Sequence, residues 1–252
     1  FSLADHDGWL DGDSVRLIFT LHNSSANPLR PVVDSPASMF RRMRIIGNGS
    51  AMIEDVEDYA RVHEMFSLLQ SSNRRYNQHA EGWGSSDVVA STLNDPGRPD
   101  PIPGNSARTV VVKLMSSFLT QGKKIPLNMA PIVLELEIGE ADSAFDGTGN
   151  DWYISRPRLI GDVLTIDQSL QNSYAKHILD GGQLPYMMHG LYSVRATIPP
   201  GSTLFSLPVA RGFTRLSTAY VTFWDSTGKY ANRFNSVVAL GAGNPNTTTS
   251  DA

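Results

Sequence analysis

Ile132-Val133-Leu134-Glu135-Leu136-Glu137-Ile138 ends in strict alternation, with the carboxylates Glu135 and Glu137 set between Leu134, Leu136 and Ile138. Side chains of a strand point to opposite faces in turn, so this pattern predicts an antiparallel strand with one buried and one wet face. Similar runs lie on either side. Residues 15–21, 40–46, 109–114, 117–120, 153–166, 187–198, 204–209 and 216–224 are rich in branched and aromatic side chains and read as strands. In 216–224, Ala219, Val221 and Phe223 fall on one face and Tyr220, Thr222 and Trp224 on the other, which predicts a strand covered on both sides. Turn residues punctuate the runs: Asp11-Gly12-Asp13, Gly47-Asn48-Gly49, Asp146-Gly147, Pro199-Pro200-Gly201, Arg211-Gly212 and Thr227-Gly228. Roughly nine to eleven strands follow, and an all-β architecture is expected.

Two helices interrupt the strands. Over 55–70, Val56, Tyr59, Val62, His63, Phe66 and Leu69 share a stripe at three- and four-residue steps, and Glu54, Asp55, Glu57 and Asp58 crowd its start. Over 167–179, Asp167 is the expected N-cap, Ile166, Leu170, Tyr174 and Ile178 form the stripe, and Gly181-Gly182 ends it. Isolated helices among strands are not the alternating order of a parallel α/β fold. The stretch from Asn94 to Gly104 holds four prolines and two glycines and reads as a loop or linker. It predicts a division into residues 1–95, a linker over 96–105, and a larger strand-rich part over 106–252.

Composition narrows the functions. Lys and Arg number 21 against 25 Asp and Glu, a formal charge of −4, which argues against a nucleic-acid-binding face. The 252 residues contain no cysteine, which removes disulfides, thiolate zinc sites, iron–sulfur clusters and cysteine nucleophiles together. No apolar run approaches the roughly 20 residues of a membrane-spanning helix. The chain begins Phe1-Ser2-Leu3-Ala4 and ends in a loop-like tract from Asn246 to Ala252, so it is expected to be part of a longer polypeptide.

Few segments carry chemistry. Asp5-His6-Asp7-Gly8-Trp9-Leu10-Asp11-Gly12-Asp13 has the acidic residues to bend around a hard cation, but it lacks EF-hand spacing, and an exposed acidic loop is the simpler expectation. The six histidines form no zinc spacing, and no nucleophile elbow, P-loop or dinucleotide fingerprint occurs. Arg41, Arg42 and Arg44, with Arg74 and Arg75, are expected to pair with the acidic start of the first helix rather than with nucleic acid. Asn23, Asn48 and Asn246 open glycosylation sequons that matter only on a secretory route. Glu135 and Glu137 share a strand face, as a glycosidase pair would, yet they read more simply as the wet side of that strand. No catalytic constellation and no cofactor or metal site is expected. The chain is not expected to be an enzyme.

Three stretches carry a resemblance. These are Phe40 to Ile46 followed by Ile53 to Met65, then Lys124 to Ile138, and finally Trp152 to Ser155 continuing through Leu164 to Tyr174. In that order they resemble the major capsid proteins of polinton-like viruses and related virophages, over roughly residues 14–240. The resemblance implies a double jelly roll: the C-terminal part of a first roll over 1–95, and a second roll over 106–252 lacking its last strands. Two complete rolls need about 16 strands, so a single elaborated sandwich is the other fold open to this chain. It further implies homotrimeric, pseudo-hexameric capsomers tiling an icosahedral shell around double-stranded DNA. Partners would be neighbouring capsomers and penton and minor capsid proteins, with no direct sequence-specific nucleic-acid binding, in a virion assembled inside the host cell.

A shell protein works through apolar and aromatic surface, and Trp9, Trp83, Trp152, Phe145, Tyr186, Met187, Met188 and Phe213 lie near turn-rich stretches. Trp9, Trp83, Trp152, Tyr186, Met187, Met188 and Phe213 are the interface candidates. A carbohydrate-binding sandwich that stacks sugars on Trp9, Trp83 and Trp152 is the alternative.

Overall fold

The computed structural model describes residues 1–4, 8–31, 36–37, 39–69, 81–83, 100–139, 144–146, 151–212 and 215–221. Among them, the strands are β1 (Ser2–Leu3), β2 (Gly8–Leu10), β3 (Arg16–Asn23), β4 (Arg30–Pro31), β5 (Phe40–Gly47), β6 (Met52–Val56), β7 (Ser106–Lys113), β8 (Ile125–Pro126), β9 (Ile132–Ile138), β10 (Phe145–Asp146), β11 (Trp152–Ile160) and β12 (Val163–Thr165). The two helices are α1 (Tyr59–Leu68) and α2 (Gln168–Leu179). Sheet orders are β1-β9-β5-β6, β10-β4, β11-β3-β7 and β12-β2-β8, with every pairing antiparallel. Among the described residues this is an all-β sandwich with two helical additions.

β3 supplies the clearest period of two. Leu17, Phe19, Leu21 and Asn23 are buried while Arg16, Ile18, Thr20 and His22 are partly exposed. Opposite it, Val110 and Val112 of β7 are fully buried, and the Phe19 ring meets Phe40 of the β5 sheet edge-on at 5.9 Å. Met43, Ile45, Val56, Ile132 and Leu134 complete the same continuous core from the other sheet. Each such side chain contributes roughly 1.5–3 kcal/mol by leaving water.

All four sheets combine strands from before and after residue 100. The described core likewise draws on residues from both sides of position 100. The described end of the expected linker is also lashed down rather than free. Ile102 is fully buried and exchanges backbone hydrogen bonds with Leu29 at 2.7 and 2.9 Å. The Asn23 amide donates to the carbonyls of Asn27, Ile102 and Pro103 at 2.8, 3.1 and 3.0 Å, so this sequon asparagine is used internally.

Several expected elements change at their ends. The first helix does not begin at 55, because Met52–Val56 pairs with β5, placing Arg44 opposite Asp55 and Met43 opposite Val56. Asp58, at φ +50, then turns the chain into α1, and its carbonyl accepts from the Arg61 and Val62 amides. The arginines of β5 do find acidic partners, but across strands rather than at a helix start. Arg42 forks onto Asp55 at 2.6 and 2.8 Å, Arg44 reaches Glu135 at 2.9 Å, and Arg41 reaches Glu137 at 3.8 Å. Arg42 thereby holds the Asp55 carboxyl below its ordinary range. Residues 153–166 are two strands rather than one, separated at Gly161-Asp162, where Asp162 bonds to Asp11 and Ser14.

Residues 117–120 form a turn, not a strand. The Glu54 carboxylate, 4% exposed, accepts from the Ser116 hydroxyl and from the Ser117 and Phe118 amides, which a strand would have spent on a ladder. α2 follows expectation closely. Asp167 accepts from the Ser169 amide at 2.8 Å, and Gly181 at φ +84 lies just past the helix end.

Two outcomes follow for stability. Phe19→Ala should cost about 3–5 kcal/mol in denaturant unfolding, the range for an aromatic side chain lost from a closed core. His63 of α1 packs its ring 5.9 Å from buried Tyr59, and burial pulls its pKa from 6.5 to about 4. The folded chain thus holds His63 neutral where the unfolded chain protonates it. That stabilisation is complete above about pH 6.5 and is lost as pH falls toward 4. Thermal melts should show Tm declining across that window, and His63→Gln should flatten part of the decline.

Candidate assembly surface

The three tryptophans expected at interfaces turn inward. Trp9 of β2 is 7% exposed, its ring 4.9 Å from Tyr174 of α2. Trp83 is fully buried; Gly82 before it, at φ +78, lies so close to the Thr109 carbonyl that a Cβ would fall 2.0 Å from that oxygen. The Trp83 ring meets Phe145 at 6.4 Å, and Phe145 meets partly buried Trp152 at 5.3 Å. These rings pack the core, because strands and turns that look exposed in sequence are covered by segments distant in the chain. Trp83, fully buried, is not open to stack on a sugar.

The other candidates divide. Tyr186 is partly buried, donating to the Lys124 carbonyl at 3.0 Å with its ring 6.0 Å from Phe118, and burial raises its hydroxyl pKa. Met187 is 83% exposed and Met188 is also exposed. Phe213 lies outside the described residues, as do Asp5, His6 and Asp7 of the metal-like segment. Of that segment's remaining acids, Asp11 pairs with Lys124 and Asp13 pairs with Lys113 at 2.7 Å. Among the described residues, no group of three or more acidic or histidine side chains is placed to hold a metal.

Beyond α2 the chain runs as an arm. Residues 182–199 and 204–212, and the described part of 216–224, form neither helix nor strand. Among the described residues the strands expected there have no neighbouring strand to take their backbone groups, although the alternation survives in part: Leu191 and Ser193 are partly buried while Tyr192 and Val194 are exposed. Polar contacts hold the arm to the β6–α1 corner and to the 117–124 region. Lys123 Nζ donates to the Pro185 carbonyl at 2.7 Å, the Ser117 hydroxyl to the His189 carbonyl, and the Ser193 hydroxyl to the Glu57 carbonyl at 2.7 Å. Arg195 pairs with Asp58 at 3.4 Å, and Tyr220 meets Phe66 at 5.4 Å. Ser117 also donates its amide to Glu54 at 2.8 Å, so the buried carboxylate supports one of the arm's anchors.

The arm and α2 concentrate exposed apolar surface. Apart from Phe1, Met52, Leu69, Val133, Ile138 and Tyr153, every exposed large apolar side chain described lies between Ile160 and Val221. Leu179 is 86% exposed and Leu204 88%. Between β2, α2 and the start of the arm is a groove of about 400 Å³, lined by Trp9, Leu170, Tyr174, Leu184 and Tyr186 with Lys123 and Lys124. Of the residues expected at interfaces, Met187 and Met188 fall within this concentration, whereas its exposed leucines and valines carry no aromatic or methionine signal. The weaker signal was the apolar alternation of 187–198 and 204–209.

No protein-family model matches this chain, and no curated protein matches it. No helix among the described residues is long and apolar enough to cross a membrane.

Exposed polar contacts contribute little individually, so Ser193 and Arg195 hold their stretch of the arm only lightly. Ser193→Ala with Arg195→Ala should leave the melting temperature within about 1 °C of the parent while raising amide hydrogen exchange across 187–198 several-fold.

Proposed function

We propose that this chain is a structural shell protein, a major capsid protein of the kind found in polinton-like viruses and virophages. The observation that carries this reading is the apolar surface spread over β12, α2 and the arm. Single exposed apolar residues are ordinary, but a continuous run of them marks a surface made to be covered by protein. The antiparallel sheets are compatible with a jelly roll, and their shared core favours one elaborated sandwich over parts of two. In this reading the chain associates as homotrimers that act as pseudo-hexameric capsomers, meets neighbouring capsomers and penton and minor capsid proteins, and resides in the virion shell around a DNA genome. Its role is structural, with no catalytic step. The cross-strand pairing of Arg41, Arg42 and Arg44 with carboxylates leaves that sheet face nearly neutral, which suits packing against protein better than binding DNA.

Native mass spectrometry and light scattering should find trimers, and negative-stain micrographs of assembled material should show hexagonal capsomers. A chain that stays monomeric at high concentration, with no particles under any assembly condition, overturns the proposal.

A further inference from the structure

We infer that Asn48 is a site of spontaneous chemical modification, at which the Gly49 amide nitrogen displaces the side-chain ammonia and leaves aspartate and isoaspartate at the tip of the β5–β6 hairpin. The reaction is independent of the shell reading and uses only water as co-reactant.

The sequence supplies the reactive pair. Asn48 is the one asparagine of the chain that a glycine follows. A side chain on the following residue shields its amide nitrogen and narrows its φ and ψ, and glycine has no Cβ to do either. The hairpin then leaves the pair in the open. Ile46 pairs with Met52, and the Gly47 amide donates to the Ala51 carbonyl at 2.8 Å, so Asn48, Gly49 and Ser50 form the tip beyond that bond. All three are exposed. Gly49 at φ +73 and Ser50 at φ +65 turn through the left-handed region, and a Cβ placed on Gly49 meets no atom within 4 Å. The tip has room for a ring to close.

The fold withholds these conditions from the other described asparagines. Asn23 is buried with its amide on three carbonyls. Asn27 precedes Pro28, which has no N–H. After Asn128 the Met129 amide donates to the Pro126 carbonyl at 3.1 Å. Asn172 lies inside α2, where helix bonds hold the backbone. Asn105 leads into β7, whose first residue, Ser106, is paired with Asn23.

Atoms and charges balance within the turn. The Gly49 nitrogen bonds to Asn48 Cγ, the Cγ–Nδ2 bond breaks, and Nδ2 departs as ammonia with the proton that the Gly49 nitrogen gives up. Water then opens the succinimide. Breaking the ring at Cγ restores the main chain with an aspartate side chain. Breaking it at the Asn48 main-chain carbonyl carbon reroutes the chain through Cγ as isoaspartate. Either product adds a negative charge to a chain of formal charge −4, and isoaspartate lengthens a turn that the Gly47–Ala51 bond closes. Because the Gly49 nitrogen must lose its proton, the rate rises with pH.

The test incubates the full chain at neutral and mildly alkaline pH beside a free peptide of residues 44–53, with peptide mapping by mass spectrometry and enzymatic carboxyl methylation to detect isoaspartate. Asn48 should convert before any other described asparagine, within a few-fold of the free peptide's rate, and faster at the alkaline pH. Asn48→Gln should abolish the isoaspartate signal of that peptide with Tm unchanged. An Asn48 that keeps its amide after the free peptide has converted, or another described asparagine that converts first, overturns the inference.

Discussion

Burial of one face of β3 is the constraint on which the other elements depend. Leu17, Phe19 and Leu21 are within 1% of full burial, and Asn23 ends the face with an amide that binds three carbonyls. The strands that flank β3 lie far along the chain, at Ser106–Lys113 and Trp152–Ile160. Closing β3 therefore takes long-range pairing, and it draws chain from either side of residue 100 into the described core. Order in the Leu29–Ile102 bridge and in the Trp83–Phe145–Trp152 cluster follows from that closure.

Polar groups inside this frame are matched rather than avoided. Glu54, on a strand face that points inward, is satisfied by a hydroxyl and two amides of the 116–118 turn. A buried carboxylate without such donors would cost several kcal/mol, so β6 and the turn are obliged to stay together. The outer faces of β5 and β9 follow milder rules. Opposite charges face each other across strands, each pair contributing roughly 0.2–1 kcal/mol, and their main effect is to keep register and neutrality.

Against this well-satisfied body the arm is a contrast. Its side chains alternate in part as a strand's would, and its described anchors include surface hydrogen bonds, an ion pair, ring contacts and the packing of Tyr186 and Leu191 on the core. Elements with few buried apolar contacts sit at the low end of local stability, where a partner's surface can redirect them at little cost. The β11 edge, with its bulge, Arg156 at φ +51 and Pro157, is guarded against pairing with a further strand.

Much of the strand content was legible because a period of two survives without knowledge of neighbours. β3, β5, β7 and β9 were read within a few residues, and α2 was read with its cap and its terminal glycines. Misreadings cluster where local pattern is degenerate. Met52–Val56 fits a helical stripe as well as a strand, and only the ladder to β5 decides between them. Residues 117–120 look like a strand until Glu54 claims their amides. Flanking turns say nothing of what later folds over a tryptophan, and strand propensity in 187–198 and 204–209 says nothing of whether a neighbouring strand stands beside it. By itself, then, the sequence determined the all-β class, the two helices and the absence of thiol chemistry, since these rest on residue type and spacing along the chain. Tertiary structure alone decided the single core, the inward tryptophans and the exposed arm. Each depends on which distant backbone and side chain arrives to complete a hydrogen-bond ladder or exclude water.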